Sequence, residues 1–411
     1  MRVPLDLWRI TFADLIVRTA YQVGKTPLMP LFAASLGAGE LLVGAIVSVS
    51  TMTGMVFKPI FGWLSDRWGR RLWLLAGLVL FSGVPFLYSW VNTPEELFAL
   101  RLLHGLATAV FGPVSLAFVA EMAASGRAER LGWFGMARSG GYLLAPLMGA
   151  GLLTWLDPST VFTLIGFASC LAFLPVCMMD FSRPWHKRGM EQEKELGRAW
   201  KSACSAVLSN SGLWLAGALE MLVYLVTYSI KAFMPLYALF VADFNLLAVG
   251  LFFTVQEAAH LAMRPLGGRL GDRVGYLTAI NAGYFALVIG LSLLPYATAH
   301  AELLAIAVVL GAGQGLIFPS TVAFVSRCVD ARHLGIGMGF LGAVRNFGKV
   351  AGPVGAGALL TRMDYSQVFH LGGVAALLVV LTLLLLQRNY LEAIVPRAKL
   401  TTPSEDEAML R

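Results

Sequence analysis

Glu257 and His260 stand three residues apart in the apolar run "LFFTVQEAAHLAM". On a helix that spacing puts both side chains on one face. Burial disfavours a carboxylate and a neighbouring imidazolium restores it, so such a pair holds or releases a proton according to its surroundings. A proton-coupled step needs that tunability. A neutral, hydrogen-bonded pair facing a packed interface is the other reading, and both stand at this point. The remaining ionisable groups inside apolar runs are Asp14 and Arg18, Arg101 with His104, Arg138, Glu220 and Arg345. A charge within a membrane span costs about 2.5–3.5 kcal/mol on insertion scales, so each one needs a partner or a task. Arg18 is four residues from Asp14, the spacing of an ion pair on one helix. Arg138 and Arg345 either attract an anionic substrate or bridge to Asp14, Glu220, Asp66 or Asp272. Tyr21, Gln22, Tyr224, Tyr228, Gln256 and Gln314 are candidate uncharged contacts in the same cavity.

The elements that carry these residues are membrane helices. The chain has 411 residues, 57% hydrophobic and 13% charged, against about 25% charged in soluble domains. Its mean hydropathy is +0.72. Apolar runs of bilayer-crossing length follow one another, which predicts an all-α polytopic membrane protein and excludes a barrel of short alternating strands. Twelve spans are expected at approximately 8–33, 41–63, 72–91, 97–122, 132–155, 159–179, 211–240, 246–267, 278–297, 302–327, 336–361 and 366–387. The divisions are a six-helix half over 1–180, a polar linker over 181–210, a second half over 211–387 and a tail over 388–411. The linker stretch from Glu191 to Leu208 has the pattern of an amphipathic surface helix. Arg9, Asp14 and Arg18 interrupt the first apolar run, so it is expected to remain as a helix and not as a cleaved signal.

Lys and Arg are distributed by side. One set of loops carries Arg67, Arg70, Arg71, Arg127, Arg130, Arg183, Lys187, Arg188, Lys194, Arg198, Lys201, Arg269, Arg273, Arg327 and Arg332, whereas the opposite set carries Arg362. The basic side is expected in the cytoplasm with both termini, in a cell membrane of the bacterial inner-membrane type. The net charge of +7 therefore reflects topology and not nucleic-acid binding. The four cysteines are scattered without metal-ligand spacing, and no metal or cofactor is expected. No phosphate-binding lysine loop or nucleophile cluster suggests an enzyme.

The halves repeat. Gly62 and Gly268, and Asp66 and Asp272, lie 206 residues apart, while Arg138 and Arg345, and Pro146 and Pro353, lie 207 apart. "MPLFA" at Met29 returns as "MPLYA" at Met234. Internal repeats of this kind build alternating-access transporters, with the site between the halves.

The loop after span 2, with Gly62, Leu64, Ser65, Asp66, Arg67, Gly69, Arg70 and Arg71, resembles the G-x-L-[SA]-D-R-x-G-R-[RK] pattern of the major facilitator superfamily. The likeness extends over essentially the whole chain. The second copy keeps Gly268, Leu270, Asp272, Arg273 and Gly275 but has Tyr276 in place of an arginine. The resemblance implies two pseudo-symmetric six-helix bundles and a cytoplasmic latch at these loops; the arginines also serve topology alone. Span 5, with Gly141, Ala145, Pro146, Gly149 and Ala150, resembles the G-x-x-x-G-P-x-x-G-G motif of the drug/proton antiporter branch, with two glycines replaced by alanine. Span 11 repeats it with Gly348, Gly352, Pro353 and Ala356. A rocking hinge and static packing are both consistent with those small residues. Arg101 and His104 resemble that branch's L-x-x-x-R-x-x-Q-G motif, with histidine for glutamine; in such relatives the arginine is associated with proton coupling. Arg101 could instead snorkel outward or pair with Glu95 or Glu96.

The expectation is a secondary active transporter, monomeric, exchanging protons for small amphipathic or drug-like molecules. An uptake symporter for an organic anion and a non-transporting scaffold or sensor are the alternatives.

Overall fold

The computed structural model describes residues 5–122, 127–181, 209–330 and 333–389. The expected surface helix and most of the linker and tail lie outside them. Fourteen α-helices are described: α1 Leu5–Val23, α2 Leu28–Ser35, α3 Glu40–Trp68, α4 Arg70–Leu87, α5 Pro94–Glu121, α6 Arg127–Leu153, α7 Pro158–Cys170, α8 Phe173–Cys177, α9 Ser211–Phe240, α10 Leu246–Val274, α11 Tyr276–Leu293, α12 His300–Cys328, α13 Leu334–Leu360 and α14 Tyr365–Asn389. They make twelve passes, because α1 with α2 and α7 with α8 are each one pass broken in two. The sequence predicts an unbroken first span; instead the helix stops at Val23, and Gly24 to Pro27 turn before α2 resumes. Pro27 cannot donate an amide hydrogen bond, which explains an interruption there.

Nine of the helical segments among the described residues are long and apolar enough to cross a membrane on length and composition. The passes outside that set are α1–α2, α6 and α13, and these carry Asp14, Arg18, Arg138, Arg345 and Lys349. Their polarity faces protein, not lipid.

Helix starts follow local chemistry. Thr93 caps α5 by accepting from Glu96 N–H at 3.3 Å, and Glu96 returns a carboxylate to Thr93 N–H at 3.2 Å. Asn210, Asn245 and Asp157 accept from the first-turn amides of α9, α10 and α7. Gly69 and Gly275 end α3 and α10 with φ of +89° and +97°, a region that glycine adopts without strain.

The basic turns at Gly69 and Gly275 define one end of the bundle, and the starts of α3 and α10 define the far end. One apolar core lies within the second half and another within the first. A third joins the halves at the far end, where Phe32, Val43 and Ile46 meet Ala232, Phe233, Leu236 and Ala356. Lipid tails are as apolar as leucine, so close packing and small residues must hold such helices together. The far-end crossings use them. A Cβ added to Gly44 of α3 would strike the carbonyl oxygen of Pro353 on α13. A Cβ on Gly250 of α10 would fall 2.5 Å from Ala150 Cβ and 3.1 Å from Pro146 O on α6. Gly44 and Gly250 lie 206 residues apart, so the two crossings are repeats of one another.

Candidate functional site

α1 and α6 pack tightly enough to pair their charges. Gly141 approaches Thr19, where an added Cβ would fall 2.6 Å from Oγ1, and Gly149 approaches Val23 O at 3.0 Å. With the backbones this close, Arg138 reaches Asp14 through Nε at 3.0 Å and NH2 at 2.8 Å. Arg18 adds a longer contact of 3.4 Å to the same carboxylate. The second half repeats the arrangement. Gly348 and Gly352 seat α13 against backbone carbonyls of Met221 and Leu225 on α9. Arg345 then holds Glu220 through Nε at 3.2 Å and NH2 at 3.4 Å. Both carboxylates are buried, Asp14 at 1% and Glu220 at 0% exposure. The pairs form inside each half, so they do not bridge the halves as a gate in this conformation.

The loop residues are likewise paired within their own halves. Arg70 binds Asp66 at 2.6 Å and Glu121 at 2.7 Å, and also meets Ser65 Oγ. Arg67 stacks over Trp63, while Arg273 is exposed. Arg71 packs over Phe181. In the second copy Tyr276 O–H donates to Asp272 at 2.8 Å, and Arg327 lies 4.8 Å over the Tyr276 ring. The repeat thus replaces Asp66–Arg70–Glu121 with Asp272–Tyr276–Arg327, each member shifted by 206 residues. Gly62 and Gly268, expected to permit a close helix approach, face open space in this conformation. The close approach in the second copy belongs to Gly267, whose added Cβ would fall 2.5 Å from Gly315 O.

Arg101 does not snorkel. It is wholly buried, donates from NH2 to Ser50 Oγ at 2.8 Å and lies 5.6 Å over the Tyr21 ring. Glu96 is occupied in the helix cap. His104 Nδ1 hydrogen-bonds Tyr88 O–H at 3.0 Å, between the rings of Tyr21 and Phe81. Both residues sit inside the first half, beneath Tyr21. Gln256 and Gln314 are similarly enclosed in the second half, at 2% and 3% exposure. Tyr224 stacks on Phe318 and carries Arg345 above its ring.

Between the halves lies a cleft lined by Gln22, Lys25, Thr26, Tyr142 and Pro146 from one side and Tyr228, Lys231, Phe253 and Glu257 from the other. Glu257 Oε1 is 3.4 Å from His260 Nδ1, and Arg264 Nε donates to His260 Nε2 at 3.2 Å. A nitrogen that accepts must carry the lone pair, so in the neutral ring the remaining proton sits on Nδ1, close to Glu257 but not aligned for a hydrogen bond with it. This geometry describes a neutral imidazole oriented by an arginine.

Of the sequence candidates, Gln22, Pro146, Tyr228 and Glu257 line this cleft. The lining residues Lys25, Lys231 and Tyr142 escaped sequence reasoning, as did Lys349, whose Nζ lies 5.6 Å from the Tyr228 ring centroid. The signal was present: Lys25 and Lys231 lie 206 residues apart, the same interval that relates the loop motifs. Among the described residues no group of His, Cys, Asp and Glu could hold a metal ion.

Comparison with known proteins places this architecture. The chain is 28% identical over 361 residues to the "Multi-drug resistance efflux pump PmrA" of Streptococcus pneumoniae serotype 4, covering 84% of this chain and 86% of that one. It is 27% identical over 385 residues to "Tetracycline resistance protein, class G" of Vibrio anguillarum, covering 90% and 94%. The fold matches the crystal structure of the nucleoside transporter NupG with a TM-score of 0.76 at 13% identity, over 94% of this chain and all of that one. The Major Facilitator Superfamily model matches residues 15–298 and 222–406, and with both matches together covering nearly the whole chain, it belongs to that superfamily of membrane transporters.

Proposed function

We propose that this protein is a secondary active transporter that works by alternating access and exports small amphipathic or drug-like molecules in exchange for protons. The observation that carries the reading is the cleft between two halves that are each braced internally and joined by repeated glycine–carbonyl crossings at the far end. Two braced bodies hinged at such crossings can rock without breaking their own ion pairs. The names of the similar multidrug and tetracycline resistance proteins support export over uptake.

In this reading Glu257 carries the proton. Its carboxylate lines the cleft, and the Nδ1 edge of His260, fixed by Arg264, lies 3.4 Å from it as an electrostatic neighbour. Protonation of Glu257 removes that attraction and alters the cleft's charge in one step. The buried Arg101–His104 cluster braces the wall behind Tyr21, and the paired loops at Asp66 and Asp272 latch the basic end when it closes. The basic end faces the cytoplasm of a bacterial inner membrane, as its arginines support. One chain holds the complete cleft, so a monomer suffices, and its role is carriage without bond chemistry.

Proteoliposomes with an imposed pH gradient test this. Amphipathic substrate dyes should move opposite to protons, and movement together with protons would replace export with symport. Absence of any solute movement would favour a scaffold.

A further inference from the structure

Three ammonium groups converge on one aromatic ring in the cleft. Lys25 Nζ from the break between α1 and α2 lies 5.3 Å from the Tyr228 centroid, Lys231 Nζ from α9 lies at 5.4 Å, and Lys349 Nζ from α13 at 5.6 Å. Lys349 also stands 4.8 Å over Tyr224. Among the described residues no ion pair joins any of the three to a carboxylate. Lys25 has one side-chain hydrogen bond, to Thr51 Oγ1 at 3.4 Å. Of the other buried or half-buried cations of this region, Arg138 and Arg18 are matched to Asp14 and Arg345 to Glu220, while Arg101 and Lys58 make no ion pair among the described residues. Glu257, the single carboxylate of the cleft wall, is turned to His260.

One ring does not balance three cations. A cation over an aromatic face gains modestly, while like charges gathered where water is scarce repel and lack solvation. Such an arrangement is relieved by an anion. The surrounding Tyr228, Tyr142 and Phe253 offer flat apolar surface beside the charge. Lys25 and Lys231 come from the same repeat position in the two halves, so an anion between them would touch both moving bodies.

We propose that the cleft is an organic-anion site, in which Lys25, Lys231 and Lys349 hold the acidic group of an amphipathic substrate whose aromatic body rests on Tyr228. This deepens the transporter reading of the same cleft and rests on it for its physiological meaning. It also distinguishes this chain from a carrier built for lipophilic cations, for which Glu257 alone would have to outweigh three lysines.

The test uses the full-length purified protein and isothermal titration with three probes: naphthalene-2-sulfonate, its neutral sulfonamide, and tetraphenylphosphonium. The sulfonate should bind at least about tenfold more tightly than the sulfonamide, the gain of one charge-assisted contact. Lys231→Gln and Lys349→Gln should each remove most of that preference, whereas Lys349→Arg should retain it. The wild-type ratio stands as a test even if a variant fails to fold. Equal affinity for sulfonate and sulfonamide, or tighter binding of tetraphenylphosphonium than of sulfonate, overturns the proposal. The same probes in proteoliposomes separate the two readings. Proton-driven movement of tetraphenylphosphonium without sulfonate preference sinks the anion site and keeps the transporter. Lysine-dependent sulfonate binding without movement of any solute keeps the site and sinks the transporter.

Discussion

Arg138 grips Asp14 with two parallel nitrogen–oxygen contacts across the α1–α6 interface, and Arg345 repeats the grip on Glu220 across α9–α13. Each carboxylate is almost wholly shielded, so its charge depends on the partner. Removing one member of such a pair leaves a buried charge and costs about 3–5 kcal/mol. Asp14→Asn or Arg138→Gln should therefore lower the Tm substantially, and the double variant should recover much of the loss. Thermal unfolding of all three in one detergent gives the coupling. Additive losses would show that the contact does not join the helices energetically.

The crossings of Gly44 with Pro353 and Gly250 with Pro146 leave no room for a Cβ. Gly44→Leu should push α3 and α13 apart at the far end while each half stays folded. Spin labels at Leu41 and Leu359, both exposed, would report a longer distance in the variant. An unchanged distance distribution would remove the crossing from the hinge.

Glu257→Gln tests the assignment of the proton carrier without changing side-chain volume. Accumulation driven by a pH gradient should fall by at least about tenfold, in the range of a lost acid–base group. Exchange of labelled substrate for unlabelled substrate should persist. Retained gradient-driven accumulation would move the proton to another group.

Asp157 caps α7 at the membrane surface, accepting from Thr160 N–H at 3.0 Å and Thr160 Oγ1 at 2.7 Å as well as from Ser159. These donors, Ser159 first, hold its carboxyl down from the ordinary 3.8 to about 2. A depressed folded-state value means stability that is present above the unfolded value and lost as pH falls towards 2. Loss of an N-cap costs about 0.5–2 kcal/mol, with the low end expected at this solvent-screened site. Asp157→Ala should thus lower the Tm slightly at pH 7, and the difference should shrink as the pH falls below about 4. A difference that is constant with pH would assign the effect to packing.

The repeat and the passes were legible because they rest on long apolar runs and on glycine, proline and aspartate at one fixed interval. The Gly69 turn was legible for the same reason, since only a positive φ demanded that residue. The first-span break at Gly24 was not, because apolar runs on both sides of the short polar stretch 24–27 were read as one span. The lysines of the cleft were missed for a different reason. Counting basic residues by loop treats Lys25, Lys231 and Lys349 as neither side, and nothing in a one-dimensional pattern shows three separate passes meeting at Tyr228. The orientation of Arg101 was left open because depth along a helix says nothing of the direction in which its side chain turns. Its burial follows from the rotation of α5 towards Ser50 on α3.

The exchange of Asp66–Arg70–Glu121 for Asp272–Tyr276–Arg327 makes the two corners of the basic end respond differently to ionic strength. The first is a cation held between two carboxylates on partly exposed positions, which dissolved ions screen. The second rests on a phenol hydroxyl bond and a guanidinium stacked on its ring, contacts in which added salt has less long-range charge attraction to weaken. Rising salt would loosen one corner before the other, so a fold built from two like halves would begin its rearrangement from a single side.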